Sequence, residues 1–524
     1  MARTDKLNNY LTDIADAIRE KKETTESINA SEFDNEIRSI ETGITPTETI
    51  DITENGNYDV VNYANANVEV PVKTLTTKSI TSNGLYKAID DGFDGYSEVN
   101  VETSGGVDIN DYFNTTKKNY GNASTYIKQI AFIDTSGYTN MQHMFNALSS
   151  LITIPAIDTS KVTSMGYMFN GCNNLKEIPL LNTSKNISME YMFASCSSLK
   201  TIPLLDISNV TGMNNTFYYC SSLEEIPLLN TSKVTNMYGT FSNCGKLKTI
   251  PSLDTSNVKT MDRMFYYCSS LEEIPLLNTS KVTGMNSMFQ YCSNLKTIPL
   301  LDTINVTNMN GMFQNCSNLQ EIPLLNTINV TNMNFMFSKC SSLKTIPLLD
   351  TSNVTSMNNM FERCSILENI PTINMSKVTT AGNMFQYCTS LKEIPSIDIS
   401  NITNTTYMFF NCTSLKTIPL LDLSKAINIR EMFNSCGELE NIGGFKDLGA
   451  SYTTSSSVNY SNYTLNLLPC SKLTHDSLMN IINNLYDIKT KGCNAQNLIL
   501  GYTNLAKLTE EEIAIATNKG WTVS

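Results

Sequence analysis

The sequence predicts an α/β repeat solenoid, a stack of 24-residue coils each made of a short strand and a helix, with N-terminal helices and small β modules ahead of it. Three observations carry this expectation. Twelve cysteines from Cys172 to Cys436 fall 24 residues apart without a slip, thirteen phenylalanines from Phe145 to Phe433 keep the same interval, and prolines recur with them from Pro155 to Pro419. A fixed period of this length marks coils that pack only on their neighbours. Such an array also removes a difficulty of size, because single cores stop growing at about 250 to 300 residues and this chain has 524.

One unit reads Leu199-Lys-Thr-Ile-Pro-Leu-Leu-Asp206, then Ile207 to Met213, then Phe217 and Cys220, which is a leucine-rich-repeat pattern. Its Leu-x-x-Ile-Pro-x-Leu segment is too short and too aliphatic for a helix and reads as a strand. Proline removes an amide donor, so the strand should be short or paired mainly before the proline. Met213, Thr216, Phe217 and Cys220 follow the spacing i, i+3, i+4, i+7, one face of a helix, with Ser-Asn or Ser-Lys ahead of it offering N-cap oxygens. Thirteen strands stacked at about 4.8 Å make a ladder of about 60 Å. Its core is expected to be rows of like residues, among them Phe217, Phe265 and Phe289 beside Cys220, Cys268 and Cys292.

The cysteine row invites a disulfide ladder or a metal string. Bridges need Cα atoms within about 7 Å, whereas helices with side chains are about 10 Å across. Zinc is disfavoured because the chain has no Cys-x-x-Cys and only two histidines, His143 and His475. The row therefore reads as small buried hydrophobes, and Leu148 in the same register of the first unit supports packing over ligation. No metal and no cofactor is expected.

Two exposed rows are the candidate binding residues. Glu225, Thr249, Glu273, Thr297, Glu321 and Thr345 should point outward, opposite to the Ile row. So should the variable row Leu204, Leu228, Ser252, Leu276, Leu300, Leu324, Leu348 and Thr372; a leucine stripe at an exposed position marks a contact surface. In the adjoining column Lys200, Glu224, Lys248, Glu272, Lys296, Gln320 and Lys344 place opposite charges side by side for much of the ladder, favourable by about a few tenths of a kcal/mol per pair.

The ends divide the chain further. Residues 1–44 carry Leu7, Leu11, Ile14 and Ile18 in a heptad-like seam, a helical segment for attachment or oligomerisation; two heptads alone are marginal as a coiled coil. Residues 45–106 hold two small β modules with hairpin turns at Asn55-Gly56 and Asn83-Gly84, and Ser104-Gly-Gly106 joins them to the solenoid of residues 107–442, with about 13 repeats from residue 135. Residues 443–524 form an atypical terminal cap: helices near Asp476–Asp487 and from Thr509, a strand at Asn497–Leu500, and Trp521 as its anchor.

A net charge of −13 without a basic run excludes the electrostatic footprint of nucleic-acid binding. No run of 18 apolar residues is present, so no helical membrane span is expected. The N-terminus lacks the apolar region of a secretory signal, which predicts a chain kept in the cytoplasm until another route releases it. No Ser/His/Asp arrangement, phosphate-binding glycine loop or metal cluster is visible, and an enzyme is not expected.

The consensus Asp/Asn-Thr-Ser-x-Val-Thr-x-Met-x-x-Met-Phe-x-x-Cys-x-x-Leu-x-x-Ile-Pro-x-Leu over roughly residues 135–442 resembles the BspA-type leucine-rich repeats of bacterial surface and phage structural proteins. Leu473 to Leu485, Asn504 to Glu512 and Ala516 to Trp521 look like the C-terminal cap common in that group. Leu11 to Glu20 and Ile52 to Val60 resemble N-terminal modules of phage tail and fibre proteins. These resemblances imply a virion protein, a tail fibre or other surface appendage assembled in the host cytoplasm. It would bind other tail proteins through its N-terminal region, as a homo-oligomer such as a trimer, and a bacterial surface glycan or protein through its solenoid. The alternative they imply is a bacterial cell-surface adhesin.

Overall fold

A computed structural model describes residues 98–101, 129–133, 135–451, 464–491 and 495–524. The seam in residues 1–44, the two hairpin turns and the Ser104-Gly-Gly106 joint lie outside the described residues. From residue 135 the chain is a leucine-rich-repeat solenoid of stacked 24-residue coils, locked by parallel bridges such as Gly212 to Asn236 and Asn236 to Thr260. Ahead of it, strand β1 (Glu98–Val101) pairs in parallel with β2 (Gln129–Ile133), with an irregularity between Val99 and Asn100. Ile133 stands one period before Ile157 in the sequence.

The core is the expected set of rows. Leu199, Ile202, Leu205, Val210, Met213, Phe217, Cys220 and Leu223 are all buried, and the same registers are buried in coil after coil. Along the proline segment the buried residues recur every third position, with Lys200, Thr201 and Leu204 exposed between them. That segment is not a regular strand in most coils. In most coils one amide of the segment bonds backward, as Glu224 N does to Lys200 O at 2.9 Å, three residues before Pro227, as the missing proline donor requires. Only near the C-terminal end do paired strands form, β3 (Thr417–Ile418) with β5 (Asn441–Ile442) and β4 (Leu421–Asp422) with β6 (Phe445–Lys446).

The helix expected over Met213–Cys220 is absent; the segment is a run of turns. Two residues per coil have left-handed backbone, here Asn215 at φ 53° and Tyr219 at φ 61°, and both registers do so in every coil from His143 to Ser435. Left-handed residues every fourth position interrupt an α-helix. In its place Thr216, Tyr218 and Cys220 donate to the carbonyls three residues back at 3.1–3.2 Å, while Met213, Asn215, Phe217 and Tyr219 donate to Asn236, Tyr238, Thr240 and Ser242 of the next coil at 2.8–3.0 Å. So short a helix is marginal on its own, and the turn stack satisfies its amides on the neighbouring coil instead.

Coils therefore lie much closer than packed helices. Phe rings of successive coils stack with centroids 5.3–5.7 Å apart from Phe145 to Phe433. The helix-diameter argument against disulfides fails with the helix, yet the thiols are free and buried. Each Sγ is committed elsewhere: Cys220 donates to Phe193 O at 3.1 Å and Cys292 to Phe265 O at 3.0 Å.

The recurring Asp and Asn also have structural work. Asp206 Oδ1 accepts from the Ser208 amide at 3.0 Å, an Asx turn, and Asn209 Nδ2 donates to Ser184 O of the preceding coil at 2.8 Å.

The cap closes the open end. Strand β7 (Leu465–Asn466), β8 (Gln496–Ile499) and β9 (Trp521–Val523) form a parallel sheet, joined by α1 (His475–Asn484), α2 (Gly501–Leu505) and α3 (Glu510–Asn518). Thr509 and Glu512 make a reciprocal capping box at the start of α3. Trp521 is 2% exposed and its Nε1 donates to Tyr486 O at 3.0 Å, the anchoring role its position predicts. Cys470 and Phe445 continue the core into the cap, the Phe445 ring lying 5.5 Å from Phe433.

Candidate functional site

Two faces of the solenoid carry side chains that the core does not use. On the proline face, the variable register is exposed in every coil that presents leucine there. Leu204 is 64% exposed, Leu276 70%, Leu300 63%, Leu324 62% and Leu348 64%, while Ser252 and Thr372 replace leucine and are exposed too. Glu225, Thr249, Glu273, Thr297, Glu321 and Thr345 are exposed beside them. The two exposed rows run side by side along the proline face, one apolar and one polar. In the adjoining column Lys296 lies 3.6 Å from Glu272, and Lys392 lies 2.5 Å from Glu368; all four are about half exposed, so they set register more than stability.

The second face is the turn stack, at the positions between the buried Met, Phe and Cys. Left-handed backbone turns them outward as two variable registers rich in tyrosine, asparagine and charge. Tyr167 and Tyr191 stack at 4.7 Å, Tyr267 and Tyr291 at 4.2 Å, and the Arg363 guanidinium sits 4.5 Å over the Tyr387 ring. Burial, with Tyr291 and Tyr267 nearby, raises the Tyr266 phenol above its ordinary value. Between Tyr267 and Tyr387 these side chains border a groove of about 570 Å³, which also takes in Asn315, Lys339 and Arg363 from the same register. The available signal was compositional: Tyr, Asn, Lys and Arg vary there while Met, Phe and Cys do not.

Among the described residues no group of three or more His, Cys, Asp or Glu side chains is placed to hold a metal ion. Burial pushes the thiols of the cysteine row up, that of Cys268 to about 12, which keeps them protonated and weakly nucleophilic. No helix among the described residues is long and apolar enough to cross a membrane.

Solved structures similar to this chain are repeat proteins. A leucine-rich repeat protein from Eubacterium ventriosum matches at 18% identity and a TM-score of 0.35, over 57% of this chain and 92% of that one. A leucine-rich cell surface protein from Faecalibacterium prausnitzii matches at 17% and 0.28, over 70% and 92%. The pneumococcal vaccine antigen PcpA matches at 15% and 0.32, over 59% and 78%. No curated protein matches the chain. Overlapping matches to one family profile run from residue 107 to residue 445, over 107–225, 187–298, 270–365, 292–391 and 343–445, and the chain belongs to that family, described as "Mycoplasma protein of unknown function, DUF285".

Proposed function

We propose that this chain is an adhesion scaffold of a bacterial surface, whose solenoid holds the leucine ridge against a protein partner. One observation carries the reading: leucines of a single register stand 62–70% exposed on coil after coil, from Leu180 to Leu348, although the neighbouring register is buried throughout that span. Exposed apolar surface aligned over many coils marks a contact site, and the Glu and Thr flank supplies the polar rim of such an interface. The reading is of a binding protein without catalysis. Replacing Leu276, Leu300 and Leu324 together by Ser is expected to weaken attachment of the purified chain to bacterial cells while leaving its melting temperature in place. Unchanged attachment refutes the ridge, and a large drop in melting temperature would assign those leucines to the core.

A second reading places the same scaffold on a phage particle as a tail fibre or other appendage, attached through its N-terminal region and assembled in the host cytoplasm. It rests on the motifs Leu11 to Glu20 and Ile52 to Val60, which lie outside the described residues. Antibodies to residues 1–100 should then label purified particles whose mass spectrum contains the chain; failure of either sinks this reading and leaves the ridge untouched.

A further inference from the structure

The geometry points to a second binding site, the groove on the turn-stack face, with an extended anionic glycan as its ligand. Its register runs Tyr267, Tyr291, Asn315, Lys339, Arg363 and Tyr387, one residue from each of six successive coils. Aromatic rings lie at both ends, and three hydrogen-bond donors lie between them. The Asn315 amide nitrogen is buried without an acceptor. Lys339 makes no ion pair or side-chain hydrogen bond among the described residues. The Arg363 guanidinium stacks on the Tyr387 ring and pairs only through Nε, 3.4 Å from Glu362 Oε1, and that carboxylate is shared with the Ser338 hydroxyl at 2.9 Å. Two cations and an idle amide face one counter-charge, so the centre of the groove has unused capacity for carboxylate or sulfate oxygens.

The ligand class follows from what is already occupied. The backbone here has no open edge for a peptide strand: Tyr267, Tyr291 and Arg363 amides bond to Gln290, Gln314 and Gln386 carbonyls of the next coil at 2.7–2.8 Å. The serine row beside the groove is spent likewise, Ser293, Ser317 and Ser341 hydroxyls donating to carbonyls one coil back at 3.2–3.3 Å. Recognition is therefore left to ring faces and cationic tips repeating at the coil interval, about that of one sugar unit in an extended chain. A net charge of −13 opposes a polymer with a phosphate at every unit. A glycan with spaced acidic groups suits both the phenol rings and the tips of Lys339 and Arg363.

The site is independent of the leucine ridge and has its own test. Its register accepts asparagine in left-handed backbone, as Asn243, Asn315 and Asn411 show at φ 60–63°, so Asn substitutions keep the fold. Full-length chain is titrated with fluorescein-labelled hyaluronan oligosaccharides, which carry a carboxylate on every second sugar, and with neutral dextran oligomers, poly-L-glutamate and poly(dT). Binding is expected for the hyaluronan oligosaccharides alone, weakening with added salt. The Lys339→Asn/Arg363→Asn variant should lose about tenfold in affinity, and the Tyr267→Asn/Tyr291→Asn variant roughly as much. Should the tyrosine variant melt early, the lysine–arginine variant decides, since both its side chains lie at the surface. Absence of binding to the hyaluronan oligosaccharides, equal binding of poly-L-glutamate or poly(dT), or unchanged affinity in the lysine–arginine variant overturns the proposal.

Discussion

The Sγ of Cys268 lies 3.0 Å from the carbonyl oxygen of Phe241, a residue of the preceding coil. The same contact recurs from Cys172 to Phe145 through Cys436 to Phe409. Thiols stacked at the coil interval are thus held by one weak donor bond each and remain unbridged.

Reactivity follows from that burial. Desolvation raises the Cys268, Cys388 and Cys436 thiols to about 12, so the thiolate that alkylating agents require is scarce at any ordinary pH. Native chain at pH 8.5 should take up almost no iodoacetamide on this row, and denatured, unreduced chain should titrate all twelve cysteines of the row as free thiols. Blocked thiols in the denatured sample would mean a disulfide ladder.

The Phe row predicts where the stack breaks. Phe289 lies between Phe265 and Phe313, each 5.7 Å away, and is fully buried. Phe289→Ala should cost about 3 to 5 kcal/mol, read as a lower denaturation midpoint. Because coils in an array unfold by neighbours, hydrogen exchange should quicken first over the adjacent coils; uniform loss of protection from residue 135 to the cap would contradict a nearest-neighbour stack.

Much of this fold was legible in the chain. The period located every core row, and Thr509 with Glu512 marked the start of a cap helix by a purely local signal. The turn stack was not legible, because Met213, Thr216, Phe217 and Cys220 have the same spacing on a helix face as on a run of turns. Gly171, Gly239 and Gly311, with Asn215, Asn243 and Asn383, fall in the two left-handed registers and argue against helix, but Tyr, Arg and Lys in the same registers mask them. The leucine row depends only on register, which the period supplies. The tyrosine groove depended on backbone handedness and was missed.

Two glycines should respond in opposite ways. A Cβ on Gly443 would overlap the backbone nitrogen of Leu420 and approach Pro419 C at 2.9 Å, where only main chain could give way. Gly443→Ala should destabilise by about 1 to 3 kcal/mol and loosen the β3–β5 pairing. Gly311, at φ 62°, meets only the side-chain ends of Gln314 and Ser287 at 3.4 Å, and Asn215, Asn359 and Asn383 hold its register elsewhere. Gly311→Asn should shift the melting temperature far less than Gly443→Ala; the reverse order would disprove the close approach at Leu420.

Within the cap, pH acts on the contact between α1 and α3. His475 Nε2 lies 2.9 Å from Glu512 Oε1, and its Nδ1 lies 3.6 Å from Asp476 Oδ1. The hydrogen bond to Glu512, helped by Asp476, raises the His475 imidazolium above its ordinary 6.5. The Thr509 amide first, and His475 second, hold Glu512 below its ordinary 4.5. A raised histidine stabilises fully below 6.5 and loses that contribution as pH climbs through its folded value. A depressed carboxylate stabilises above 4.5 and loses its contribution as pH falls through its folded value. The α1–α3 contact should accordingly be tightest between pH 4.5 and 6.5 and loosen on the alkaline side, seen as faster amide exchange in Glu510–Asn518 at pH 8.5 than at pH 6 after correction for intrinsic rates. His475 is exposed and Glu512 partly so, so the effect should shrink in high salt. His475→Gln should remove the alkaline half of the dependence and leave the acid half, because the Thr509 amide still holds Glu512; a variant that keeps the alkaline loss would show that another group titrates there.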